Sequence, residues 1–479
     1  LYLFPRGDNF DEIRLYERYN TNYGYMEQYW PYGDASLSLQ NPYWIQNRIN
    51  RTSNKKRYMM NASLKWQAAD WLNVVGRVNL DNSDYRNKNE KSASTLTTFC
   101  GVSGGFEDAM RQERSLYADF LANIDKTFGD FHLTANVGAS IYHTSMDQLY
   151  IAGDLVIPNF FQINNINFSA NYKPDPTGYE DEIQSIFASA ELSWKNQLYL
   201  TVTGRNDWDS KLAFSKQKSF FYPSVGLSAL LSEMVKLPEV ISYAKIRGSY
   251  TVVASSFDRF LTNPGYEYNS QTHNWANPTV YPMDNMKPEK TKSWEIGLNL
   301  KFWGNRFNLD ATYYRSNTLN QTFKVDIPSS SGYKQAIVQA GNVQNQGLEL
   351  ALGFNDKWAG FGWSSNATFT LNRNKVKRLA SGSVNPVTGE AIQMDEMNVG
   401  WLGKENVAPR VILTEGGSMT DIYVYNQLTK DNNGNIKVDQ NGNLGITSSN
   451  TPVKVGNLDA DFNLGWTNHF TYKGIDLGV

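Results

Sequence analysis

Cysteine is almost missing: Cys100 stands alone in 479 residues. No disulfide can close within the chain, and a thiolate zinc site has no set of ligands. The four histidines, His132, His143, His273 and His469, lie far apart and share no metal-ligand spacing. Net charge is also missing, at −2, which gives no basis for nucleic acid as a partner. No run of 18 apolar residues occurs and mean hydropathy is −0.51, which excludes a transmembrane helix. It leaves a transmembrane barrel open, because every second residue of a barrel strand is polar. The opening LYLFPRGDNFDE holds neither a start methionine nor a signal peptide, and DLGV ends inside an alternating segment. The expectation is a piece of a longer protein.

Aromatic residues are abundant, at 14%, with 28 Tyr against 24 Phe and 13 Trp. Rings with a polar handle suit boundaries between water and an apolar phase. The most informative stretch is Met286 to Tyr314. Trp294, Ile296, Leu298, Leu300 and Phe302 alternate with Ser293, Glu295, Gly297, Asn299 and Lys301. After WGNR, Phe307, Leu309, Ala311 and Tyr313 alternate with Asn308, Asp310, Thr312 and Tyr314. A period of two places these sets on opposite faces of a β-hairpin with strands of about ten residues. One face suits water, the other a core or lipid.

The unit recurs. Residues 1–57 read as a long loop, and Met60, Ala62, Leu64 and Trp66 then open the first strand. Leu72 to Leu80 return it, residues 81–115 read as another loop, and further pairs follow near 118–141, 186–204, 225–250, 348–371 and 462 onward. SEMVKLPEV, inside one pair, allows a helical turn. Connections alternate strictly, short near 68, 128, 196, 237, 304, 358 and 473, and long between pairs. Trp66 and Trp71, Phe128 and Phe131, Trp194 and Tyr199, Trp303 and Phe307, Trp358 and Trp363, and Phe470 and Tyr472 flank the short turns. Short periplasmic turns, long extracellular loops and an aromatic girdle describe an all-β, antiparallel, up-and-down transmembrane barrel. Thirteen strands and a truncated fourteenth can be counted. A soluble secreted glycan-binding β-protein is the competing class, and would need polar residues on both strand faces or a propeller repeat.

Several strings resemble one family in its usual order: QNPYW, DWLNVVGRV, GRNDWDSKL with FFYPSVGLSALLSE, ISYAKIRGSY, the Met286–Tyr314 stretch, SSGYKQAIVQAGNVQNQGLEL and FNLGWTNHFTYKGIDL. That family is the SusC/RagA-like TonB-dependent transporters of the Bacteroidetes outer membrane. The resemblance implies a barrel of about 22 strands around a plug, of which residues 1–479 would be a partial barrel domain. The plug, TonB box, early strands and last strand would lie elsewhere. It further implies import of oligosaccharides or peptides with a SusD-like surface lipoprotein and TonB, in outer-membrane lipid, without cofactor or catalysis.

Two motifs compete with that reading. GVSGG at 101–105 matches a nucleophile elbow with Ser103, and FEDAMRQERS after it could form the required helix. A barrel-borne surface hydrolase would need Ser/His or carboxylate sets at the rim, and none is evident. DNNGNIKVDQNGN at 431–443 resembles a calcium loop, but Gly434 is fourth and Gly442 twelfth where Gly sixth and Glu twelfth are required; Asn-Gly turns explain it more simply. Rings in long loops are the candidate substrate contacts: Trp208; Tyr266, Tyr268, Trp275 and Tyr281; Tyr423 and Tyr425. Arg77, Arg205, Lys245, Arg247 and Asp310 fall on the lumen side, where plug residues are the expected partners.

Overall fold

A computed structural model of the chain describes residues 7, 9, 11–33, 38–168, 174–263, 265–269, 274–281, 286–326, 329–379, 396–402 and 409–479. His273 lies outside the described residues. Fourteen strands follow one another in chain order as antiparallel neighbours in one sheet, which the two-residue strand Val280–Tyr281 joins in parallel off that path. They are β1 (Ile49–Ala69), β2 (Leu72–Lys91), β3 (Gly105–Phe128), β4 (Phe131–Asp154), β5 (Asp175–Trp194), β6 (Leu198–Asp209) and β7 (Phe220–Leu230). Then come β8 (Ile241–Ser255), β9 (Glu289–Phe302), β10 (Phe307–Asp326), β11 (Gln335–Trp358), β12 (Phe361–Arg378), β13 (Asn463–Tyr472) and β14 (Ile475–Gly478). Each strand pairs with its sequence neighbours, the up-and-down order expected. Among the described residues, β1 and β14 pair on one side only.

Strand length departs from expectation. β1 has 21 residues and β3 and β4 have 24 each, against the ten or so needed to cross a bilayer. Residues 81–91 and 105–115, expected as loop, continue the ladder from Lys91↔Gly105 downward. Their alternation disappears because both faces are wet above the membrane, while backbone pairing needs no apolar face. The first 57 residues are likewise not one loop. Glu17–Asn20 and Tyr25–Gln28 pair as a hairpin, and Pro42–Arg48 is a helix. The Asn41 side chain caps it by accepting from the Tyr43 N–H, with Pro42 at the start, where its missing N–H costs nothing. The turn expected in SEMVKLPEV is the helix Leu231–Met234.

The short connections are tight. Ala359–Gly360 and Lys473–Gly474 both hold two residues at positive φ between paired strand ends, the geometry of type I′ turns that matches strand twist.

The two faces separate as the period of two requires. Leu64, Phe120, Val137, Ile186, Val202, Leu227, Ile296 and Leu352 are all exposed on one face, which is the lipid face. At its lower edge the rings Trp303, Phe307, Phe354, Trp363 and Phe470 contact one another in series, with centroids 5.3, 4.7, 4.8 and 6.1 Å apart. Tyr199 is the exception to the expected girdle: its register with Ser193 and Ser228 turns it to the polar face. A second belt was not foreseen. Tyr58, Trp208, Phe221, Tyr250, Trp294 and Tyr313 are exposed on the same apolar face, about ten residues up their strands. Two belts separated by roughly ten residues bracket one hydrocarbon thickness.

The opposite face is polar and pairs with itself. Arg77 donates through Nε and Nη2 to both oxygens of Asp119, at 2.9 and 2.6 Å, and the Asp119 side chain is 0% exposed. Arg205 binds Asp207 and Ser185; Arg247 binds Asp310 and Thr312. These three arginines, expected to meet plug residues, are held by carboxylates of the wall. Gly297 makes the last of them possible, because a Cβ there would lie 2.6 Å from the Arg247 Cζ. Gly297→Leu is expected to displace Arg247 from Asp310 and cost about 1–3 kcal/mol, read as a lower unfolding midpoint in detergent. Gly76→Ala, with open space at its Cβ position, is the expected near-neutral comparison.

Candidate functional site

Among the described residues, buried hydrophobic clusters form where loops fold back on the long strand ends. Between β8 and β9, Phe257 and Met286 pack with Leu212, Phe220 and Ile337. Phe220 pairs with Asp207 and therefore belongs to the polar face, so this loop lies over the inner side of the wall. Its first limb is pinned twice more. Ser256 donates to Asp209, and Arg259 lies 3.5 Å from the Tyr179 ring centroid with Nε 2.7 Å from Asp181 Oδ2. The second limb is held by Val280↔Gln335 and Tyr281↔Ala336 pairing. Tyr281 meets Tyr333 edge-on at 5.1 Å.

Between the limbs rises a small hairpin, Glu267–Asn269 with Asn274–Ala276. The Tyr268 and Trp275 rings lie 5.1 Å apart on it, and Tyr266, Tyr268 and Trp275 are 67%, 50% and 68% exposed. At its base a pocket of about 440 Å³ is lined by Phe260, Leu261, Tyr266, Val280, Lys324 and Ile337 among others. The arrangement offers flat apolar faces beside a cation, which suits a sugar ring or a peptide side chain with a polar end.

The other candidate rings stand elsewhere. Trp208, expected in a loop, is the penultimate residue of β6. The strand continues to Asp209, past the expected end at Gly204, and carries the indole into the upper lipid-face belt. Tyr423 and Tyr425 lie half-buried in a four-stranded sheet, Glu396–Trp401, Arg410–Thr414, Asp421–Leu428 and Ile446–Asn457, built into the loop between β12 and β13. The Tyr423 hydroxyl is 3.3 Å from the Thr414 hydroxyl, and the Arg410 guanidinium lies over the Tyr425 ring at 4.4 Å. Sequence reading missed this sheet because its strands are short and carry no sustained alternation.

The competing motifs lose their context. Residues 105–128 are strand, not helix, so Ser103 stands in a loop closed by the Gly101↔Gly104 bridge rather than at a strand-to-helix elbow. In the calcium-like segment Asp431 accepts from the backbone N–H of Asn433 and Asn435, and Asp439 from Asn441 and Asn443. The carboxylates close two tandem turns. No group of three metal-ligating side chains occurs among the described residues.

An antiparallel up-and-down wall with one lipid face, two aromatic belts and a polar inner face defines an outer-membrane β-barrel. Residues 3–471 match the family described as TonB dependent receptor-like, beta-barrel, and the chain belongs to that family. Relatives include TonB-dependent receptor P3 of Formosa agariphila, 23% identical over 81% of this chain and 40% of that protein. TonB-dependent receptor SusC of Bacteroides thetaiotaomicron is 26% identical over 61% of this chain and 30% of its own. The RagAB peptide transporter structure superposes with a TM-score of 0.74 at 16% identity, over 92% of this chain and 48% of that one. The chain therefore spans less than half the length of each of these three.

The turn carboxylates give a pH test. The Asn435 side chain and then the backbone N–H groups of Asn435, Asn433 and Gly434 hold Asp431 below the ordinary carboxylate range. Asn443 and its neighbours do the same for Asp439. A carboxyl depressed in the folded loop stabilises it above the unfolded value, near 3.9, and that contribution is lost as pH falls through the folded value. Amide exchange at Asn435 and Asn443 is expected to stay protected at pH 5 and to lose protection progressively below about pH 4. Burial pushes the Cys100 thiol up to about 11, so a maleimide at pH 8 is expected to label native protein far more slowly than unfolded protein.

Proposed function

We propose that the protein of which this wall is part imports oligosaccharides or peptides across the outer membrane, driven by TonB and assisted by a SusD-like surface lipoprotein, without catalysis. The observation that carries the reading is the division of labour between wall and loops. Inner-face arginines are satisfied by the wall's own carboxylates, leaving the inner surface smooth to a passing solute. The loop between β8 and β9 is anchored at both limbs and presents Tyr266, Tyr268 and Trp275 upward. Receptors of this family supply the rest by similarity: the relatives are named as TonB-dependent receptors, and the structural neighbour is a peptide transporter.

In this reading the loop rings take up cargo first, stacking on its apolar faces, and the pocket beside Lys324 orients an attached polar group. Tyr423 and Tyr425 act through the sheet they brace, which packs through Leu413 on Val343 and Val376 of β11 and β12. Tyr268→Ala with Trp275→Ala is expected to weaken cargo binding to the full-length protein with its lipoprotein by about tenfold or more, as loss of central aromatic contacts does. Isothermal titration against glycan and peptide panels checks it. Unchanged binding of every ligand found would remove the hairpin from the site, and binding of peptides alone would discard the glycan branch.

A further inference from the structure

One concavity lies on neither the loops nor the inner face. It is a furrow of about 1020 Å³ on the lipid face, crossing β1 to β6. Two outward rows bound it: Ala62↔Val78↔Ala118↔Ile141↔Gln184↔Trp208 and Leu64↔Gly76↔Phe120↔Ala139↔Ile186. Large and small residues alternate along the second row, and along the first as far as Ile141, so Leu64, Phe120 and Ile186 form ridges and Gly76, Ala118 and Ala139 leave gaps. The furrow lies between the two aromatic belts, with Trp208 at its far end. Only hydrocarbon surrounds the wall at that depth, so its occupant is an acyl chain.

A second observation gives the headgroup. Four residues up β3 from Ala118, on the same face, stands Arg114, about 13 Å higher along the strand. Through Tyr58↔Asn82↔Arg114 it stands level with Tyr58 of the upper belt, at the boundary with the outer-leaflet headgroups. Arg114 is exposed, and no carboxylate pairs with it among the described residues. Its two bonds, to Asn82 Oδ1 at 3.4 Å and Gln112 Oε1 at 3.3 Å, are both long. Asn82 beside it is 2% exposed and keeps an Nδ2 with no partner among the described residues. The surrounding charges are otherwise balanced or distant. Lys56 faces Asp84 across β1 and β2, Arg86 is paired to Asp108, and His143 with Glu182 lies one outward row below.

We propose that this furrow and Arg114 together form a site for one outer-leaflet lipid with a phosphorylated headgroup. The acyl chain lies over Gly76, Ala118 and Ala139, and the phosphate accepts from the Arg114 guanidinium and from Asn82 Nδ2. The site is a fixed lipid position on the wall, independent of cargo.

Native mass spectrometry of the detergent-solubilised full-length protein tests it, with dioleoyl phosphatidylglycerol against dioleoylglycerol of the same chains. Wild type is expected to retain phosphatidylglycerol about fivefold better, the effect of one cation near an anionic headgroup. Arg114→Gln is expected to abolish the difference. Gly76→Leu, which fills the furrow at a position with open space for a side chain, is expected to lower retention of both lipids. Arg111→Gln, the same charge change on the other face of β3, is expected to alter neither. Equal retention of the two lipids by wild type would overturn the proposal, as would retention unaffected by both Arg114→Gln and Gly76→Leu. Displacement of phosphatidylglycerol by millimolar inorganic phosphate would assign Arg114 to free anions and also overturn it. Heat-modifiable migration reports folding of each variant, and the wild-type comparison stands without any of them.

Discussion

In hydrocarbon no water is available to a free peptide N–H or C=O, and each one left unpaired costs several kcal/mol. The continuous ladder from β1 to β14 answers that constraint, and most of what is distinctive about the chain depends on it. Once backbone groups are committed to neighbouring strands, side chains have only two directions to point. The outward set must dissolve in lipid, so Leu, Ile, Val and Phe sit there exposed, the reverse of a soluble protein. The inward set is free to be polar, and becomes so. The rings of the lower belt fix depth, since an indole or phenyl at the boundary resists movement in either direction.

The same ladder explains the ion pairs of the inner face. Antiparallel register brings Arg77 opposite Asp119, and places Arg247 two strands from Asp310 across Gly297 and Asn299. These pairs are partly sheltered by the sheet, so removing one partner strands a desolvated charge. A wall that satisfies its own charges can remain unchanged while whatever occupies its lumen moves. Above the membrane the ladder continues without its apolar face, and there the loops fold back and make the buried clusters found among the described residues. Asp421 marks how firmly. Burial alone would raise its carboxyl, but Lys454, the Ser418 N–H and Asn457 together hold it below the ordinary range.

Legibility in the sequence follows the same division. Where lipid faces one side, as from Trp294 to Phe302, alternation is strict, and strand, face and turn could all be read. Asp81–Lys91 and Gly105–Ser115 are as well paired as any strand, yet their sequence has the look of loop because water on both sides erases the period. Trp208 was misplaced for that reason, its neighbours Asp207 and Asp209 having the look of a loop. Arg77, Arg205 and Arg247 could be assigned to the lumen by parity, but their partners could not. For Arg77 and Arg247 partnership depends on register between residues 42 and 63 apart, which no local pattern encodes, whereas Arg205 takes Asp207 two residues along its own strand. The rings of the β8–β9 loop were visible as composition. Their mutual placement came only with the anchors Phe257, Arg259 and Met286.

The central claim is that the period of two along β9 separates lipid from lumen, and one measurement addresses it directly. Nitroxide labels placed singly at 294 through 302 in the full-length protein, reconstituted in vesicles, report accessibility to oxygen dissolved in lipid. Accessibility is expected to oscillate residue by residue, high at 294, 296, 298 and 300 and low at 295, 297, 299 and 301. A profile with no oscillation, or one with a period near 3.6, would contradict the barrel account outright.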